Sequence, residues 1–90
     1  MKIKRIVKTS NNPAQWQGVT EDNEPFFINY RWGNFSMSVG EEGAPISDAV
    51  VKDCLNPTMS FKHGEPSGCE ISFEEAMKLI NERLSFEEKK

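Results

Sequence analysis

Between Phe26 and Val39 the chain alternates large apolar with small or polar side chains at a period of two, the spacing of strands that bury one face. Phe26, Ile28, Tyr30 and Trp32 take the even positions of the first run. Phe35, Met37 and Val39 take the odd positions of the second, separated by Ser36 and Ser38. Gly33-Asn34 lies between the runs, and glycine at the first loop position suits a two-residue type II′ turn. That loop predicts a hairpin in which Trp32 faces Phe35, Arg31 faces Ser36, Tyr30 faces Met37, Asn29 faces Ser38 and Ile28 faces Val39. Like meets like in every pair, whereas a slip of one residue sets aromatics against serines.

Upstream, Gln15 to Glu21 pairs with Glu24 to Trp32 in a second hairpin turning at Asp22-Asn23. A two-residue loop places Val19 opposite Phe26 and Gln17 opposite Ile28 on the core side. Gly18 then faces Phe27, and Trp16 faces Asn29, on the other side; a longer loop changes these partners. Residues 2–8 (KIKRIVK) mix Ile3, Ile6 and Val7 with lysines, the composition of an edge strand, which stops in the turn formers Ser10 to Pro13.

Downstream, Glu41 to Pro45 reads as a loop. Ser47 is placed to cap a short helix reaching Leu55, with Val50, Val51, Cys54 and Leu55 on one side and Asn56-Pro57 ending it. A buried strand competes for this segment, because Val50 and Val51 suit either. Met59 and Phe61 alternate with Ser60 and Lys62 in a weak strand that ends at Gly64. Ser72-Phe73-Glu74-Glu75 is a capping box, followed at helical spacing by Phe73, Ala76, Met77, Ile80 and Leu84. Glu74, Glu75, Lys78, Asn81 and Glu82 form that helix's outer face, and the tail 87–90 is expected to fray. The pattern therefore predicts one α+β domain over residues 1–86. Its sheet is an antiparallel β-meander of about four to five strands, with the C-terminal amphipathic helix packed on one face and a short second helix in question.

Ninety residues suffice for one hydrophobic core, and 37% hydrophobic with 28% charged residues is a globular composition. No apolar signal-peptide region follows the basic start, and no apolar run approaches the roughly 18 residues of a membrane span. A soluble, cytoplasmic protein is expected, with Cys54 and Cys69 as free thiols. The net charge of −3 argues against a nucleic-acid binder. Its distribution is uneven: Lys2, Lys4, Arg5 and Lys8 make a basic first strand, and acidic residues dominate the second half. Edge lysines ordinarily guard against strand addition.

Chemistry is sparse. Cys54, His63 and Cys69 do not have zinc-ligand spacing, and they read as an exposed histidine with two small buried thiols. Cys54 falls on the apolar side of its predicted helix, where burial makes a thiol inert. The adjacent pairs Glu41-Glu42, Glu74-Glu75 and Glu87-Glu88 point apart on any regular element, which spoils them as acid/base dyads. No Gly-rich phosphate loop occurs. The expectation is a non-enzyme with no cofactor and no metal.

With the even positions of 26–32 committed to the core, the other hairpin face presents Trp16, Phe27, Asn29, Arg31, Ser36 and Ser38. Aromatics beside an arginine are the residue types of binding hot spots, and they also suit base stacking. These residues have no structural duty unless residues 46–63 cover them as a second layer. Uncovered, Phe27 and Arg31 are expected to tolerate replacement while binding is lost.

The run Trp16 to Gly40 (WQGVTEDNEPFFINYRWGNFSMSVG), together with the acidic box at Ser72 to Glu75, resembles a pattern in small uncharacterised proteins of phage and prophage regions. The resemblance covers about a third of the chain and implies no activity. It implies an accessory or anti-defence protein that works by binding. The function expected is thus non-catalytic protein–protein interaction, with a nucleotide or single-stranded nucleic-acid binding module as the alternative. A protein partner is favoured over nucleic acid, no membrane association is foreseen, and a homodimer through an exposed strand edge is a further option.

Overall fold

The computed structural model describes the backbone of residues 3–84 and the side chains of residues 3–80. The tail 87–90, Lys2 and the side chains of Asn81, Glu82 and Leu84 lie outside the described residues. In chain order the elements are β1 (Ile3–Asn11), β2 (Ala14–Thr20), β3 (Pro25–Arg31), β4 (Asn34–Val39), α1 (Ile46–Leu55), β5 (Met59–Lys62) and α2 (Phe73–Leu84). The strands form one antiparallel sheet in the order β1-β2-β3-β4-β5, so β1 and β5 are its edges. This is the expected α+β meander with a C-terminal helix. The segment with two readings, 46–55, is the helix.

The helices take opposite faces of the sheet. Phe26, Ile28, Tyr30, Phe35 and Met37 point to one side and form the core with Ala76, Leu79 and Ile80 of α2. Burying each such large side chain contributes about 1.5–3 kcal/mol. Ser72 opens α2 by accepting the Glu75 N–H at 3.1 Å, the N-cap half of the predicted box. Glu75 sends its carboxylate instead to His63 Nε2, 3.0 Å away. On the other side α1 lies mainly over β3 and β4.

Both hairpin registers differ from expectation, for different reasons. In β3–β4 the loop is Trp32-Gly33, one residue earlier than predicted. Both residues have positive φ (53° and 69°), as a type I′ turn requires. Arg31 therefore faces Asn34, Tyr30 faces Phe35, Asn29 faces Ser36 and Ile28 faces Met37. Trp32 is not a partner of Phe35 and is not in the core; it is 65% exposed. A shift of two residues preserves the side on which every residue points, so alternation cannot detect it.

In β2–β3 the slip is one residue and has larger consequences. Glu21-Asp22-Asn23 form a three-residue loop with Asn23 left-handed at φ 64°. Thr20 organises it: its Oγ1 accepts N–H bonds from Asp22 and Glu24, both at 3.2 Å. Gly18 now opposes Phe26, and Trp16 opposes Ile28. All of β2 is inverted, so Trp16 joins the core and Gln17 and Val19 move to the α1 side.

The inward side of α1 also differs. Ala49 is fully buried, with Ile46, Val50 and Asp53 half-buried, while Val51, Cys54 and Leu55 are exposed. Pro45, not Ser47, is the N-cap. Cys54 is thus an exposed thiol rather than a buried one; Cys69 is half-buried, and both are free.

Candidate functional site

The six residues singled out from sequence do not converge on one open surface; Ser38 is fully buried. Trp16 is 3% exposed on the α2 side, its ring 6.2 Å from that of Phe73 and capped by Lys8 Nζ at 5.1 Å. Phe27, Asn29 and Ser36 share the opposite side, where α1 is the second layer. Phe27 is half-buried, Asn29 accepts a bond from Gln15 Nε2 at 3.0 Å, and Ser36 is 5% exposed. Arg31 alone is exposed to solvent, at the end of β3.

What holds α1 there is a polar network. The hydroxyls of Ser36 and Ser38 donate to Oδ2 and Oδ1 of Asp53, each at 3.0 Å. Ser38 Oγ accepts the Thr58 N–H at 3.3 Å, Thr58 Oγ1 accepts the Val39 N–H at 3.0 Å, and Lys52 Nζ donates to Val39 O at 2.9 Å. Burial raises the Asp53 carboxyl above its ordinary value of 3.8, and the two serine bonds only partly counter this. The folded protein therefore holds the Asp53 proton more tightly than the unfolded chain does. This group's contribution to stability is fully present below pH 3.8 and is lost as pH rises through the folded-state value. Asp53→Asn is expected to remove that pH dependence and to stay within about 1 kcal/mol of the parent at pH 7, because the amide can still bond both serines. Asp53→Ala removes the acceptor of the buried Ser38 hydroxyl and leaves Ser36 only its long bond to Asn29 O at 3.5 Å, and should cost about 1–3 kcal/mol. Thermal melts across pH 3–7 measure both effects.

The open surface lies at the β3–β4 tip. Residues 63–69 pass along this end of the sheet as a strap: the His63 N–H donates to Gly33 O at 2.9 Å, the Gly33 N–H to Gly68 O at 2.8 Å and the Ala14 N–H to Cys69 O at 2.8 Å. Tyr30 fastens the strap from below, donating its hydroxyl to His63 O at 2.6 Å. A Cβ at Gly64 or Gly68 would approach that hydroxyl to 2.8 Å, so glycines let the strap close around it. At Gly33 a Cβ would run into the Glu65 carbonyl. Both backbone groups of Gly33 are thereby bonded, and the turn is clamped. Trp32 stands on it exposed beside exposed Arg31.

Trp32 is the residue that pattern reading missed. A bulky side chain at φ 53° is sterically costly, and such outliers concentrate at functional positions. The signal in the sequence was Trp-Gly ahead of Asn34, which accommodates the turn one residue early. His63 and Glu75 form a partly exposed pair, ionic when His63 is protonated. Among the described residues there is no group of three or more His, Cys, Asp or Glu positioned to hold a metal ion. No described helix is long and apolar enough to cross a membrane.

Compared with protein-family models, with curated proteins and with solved structures, the chain gives no match in any of the three.

Proposed function

We propose that this protein is a non-catalytic binding module that recognises another protein through the Arg31-Trp32 tip of the β3–β4 hairpin. The observation that carries the reading is the clamped turn: Gly33 is bonded through both its N–H and its C=O, while Trp32 is 65% exposed in a strained left-handed conformation. Trp and Arg are the residue types most enriched at binding hot spots. A turn already held in place loses little freedom when a partner docks, so more of the contact energy appears as affinity. A phage or prophage accessory role fits such a module, on the resemblance of Trp16 to Gly40. For the alternative of nucleic-acid stacking, Trp16 and Phe27 are covered and the ring open beside Arg31 is Trp32, so the salt dependence of binding separates the two readings.

The test is differential capture from nuclease-treated host extract on immobilised parent protein, Trp32→Ala, Arg31→Ala and, as a control, Glu42→Ala. A protein retained by the parent and by Glu42→Ala, but depleted about tenfold or more by the two tip variants, is the expected result. Equal retention by the parent and all three variants would place recognition elsewhere. Capture seen only from a parallel extract without nuclease, or retention that falls steeply with moderate salt, would favour nucleic acid.

A further inference from the structure

Because α1 lies mainly over β3 and β4, the β1–β2 half of that face has little helix above it. Arg5, Val7, Gln17, Gly18 and Val19 there, with Ile46, line an open recess of about 210 Å³. Val7 is 55% exposed. The recess borders β1, which is the edge of the sheet, and among the described residues no strand pairs with its outer side. An edge of this kind presents unpaired backbone N–H and C=O groups to any extended chain that fits. The pairing of β1 with β2 is uninterrupted from Arg5 to Lys8, with irregularities at Ile3/Arg5 and Lys8/Ser10. An added strand would be straight over that interval.

Charge selects the occupant. β1 exposes Lys4, Arg5 and Lys8 and contains no acidic residue. Among the described residues none of these three is ion-paired. A second copy is disfavoured, because pairing two β1 strands brings basic side chains together with no carboxylate between them: centred on Ile6, antiparallel pairing sets Lys4 opposite Lys8, and centred on Arg5 it sets the two Arg5 side chains opposite each other. Like charges directly opposite are destabilising, whereas carboxylates in those positions are attracted. We infer that the open edge of β1 accepts an extended acidic segment of a protein partner by strand addition. Its carboxylates lie against Lys4 and Lys8, which alternate with Arg5 and Val7 along β1, and its apolar side chains lie on the α1 side, where one enters the recess beside Val7. The same charges that attract the segment keep two copies of the protein apart. The inference rests on the protein-binding reading but uses a surface separated from the Trp32 tip by β2 and β3, so the two fail independently.

The experiment uses a fluorescent peptide alternating glutamate and valine, titrated with the full chain by anisotropy, with amide hydrogen exchange read on the same mixture. Saturable binding is expected, with slowed exchange at β1 amides that point away from β2. Reversing Lys4, Arg5 and Lys8 together to Glu should weaken binding about tenfold or more, and raising salt should weaken it too. Trp32→Ala should leave it unchanged. If the charge-reversed protein fails to fold, the milder Lys4→Gln, Arg5→Gln, Lys8→Gln variant should show the same loss in smaller degree. The inference is overturned by equal binding of a lysine/valine peptide, by protection confined to other strands, or by no saturable binding. It is also overturned if β1 protection in peptide-free protein rises with concentration, which makes a second copy the occupant. Displacement of the peptide by oligothymidylate would assign the edge to nucleic acid and refute it equally.

Discussion

Trp32→Asn is expected to make the fold more stable while weakening partner binding. The turn Trp32-Gly33 holds both residues at positive φ, and Asn-Gly is the pair that type I′ turns favour. Left-handed backbone costs an ordinary L-residue about 1–2 kcal/mol, much of which asparagine relieves. Little is lost in exchange, because the indole is 65% exposed and contributes little burial. The thermal midpoint should rise by about 4–8 °C for each kcal/mol gained. Retention of the captured partner should fall about tenfold or more, as for truncation of an aromatic anchor. A residue that costs stability where it stands and is missed only by a partner is one retained for binding. If Trp32→Asn lowers the midpoint, the indole is packing against the strap after all, and the tip loses its claim as a contact.

Gly18→Val should destabilise the protein by about 3 kcal/mol, and Gly18→Ala by about 2 kcal/mol, against what strand propensity suggests. Valine is among the best strand formers and glycine among the worst, a difference worth about 1 kcal/mol in valine's favour. Packing outweighs it here. A Cβ at Gly18 would collide with the Arg5 carbonyl, and it would come within 2.8 Å of the Phe26 ring and 2.9 Å of Ile6 Cα. Two of those contacts are backbone of the neighbouring strand, which cannot rotate away. Relief comes only by lifting β1 from β2 or shifting fully buried Phe26. Chemical denaturation gives the magnitude, and amide exchange in β1 shows whether that strand is displaced. A change under about 0.5 kcal/mol would mean that β1 adjusts freely and that its edge is softer than strand addition requires.

The alternation within β3 and β4, the N-cap at Ser72, the Ala76 and Ile80 side of α2 and the edge position of β1 could be read directly, because each depends on neighbours a few residues apart along one element, whereas Phe73 proved 40% exposed and Leu79 joined the core unpredicted. Side-chain direction within a strand is local. Register between strands is not. It depends on loop geometry, and alternation constrains it only to within an even number of residues. That is why β3–β4 was displaced by two residues with every face intact, and why only its partners and the fate of Trp32 changed. In β2–β3 the third loop residue, Asn23, and the Thr20 hydroxyl inverted a whole strand and carried Trp16 into the core.

Residues 46–63 could be named from sequence as a cover for the hairpin's outer face, but how α1 meets that face could not. Asp53 is charged and sits among valines, so periodicity turned Val51, Cys54 and Leu55 inward instead. Its partners, Ser36 and Ser38, lie 17 and 15 positions away in sequence. A half-buried carboxylate facing a sheet is tolerable when such distant hydroxyls meet it, and that meeting is a property of the assembled sheet. Local chemistry thus determined the elements and the direction of side chains within them. Long-range hydrogen bonding and steric closure decided which strands meet where, which face α1 covers, and which aromatic is left in the open.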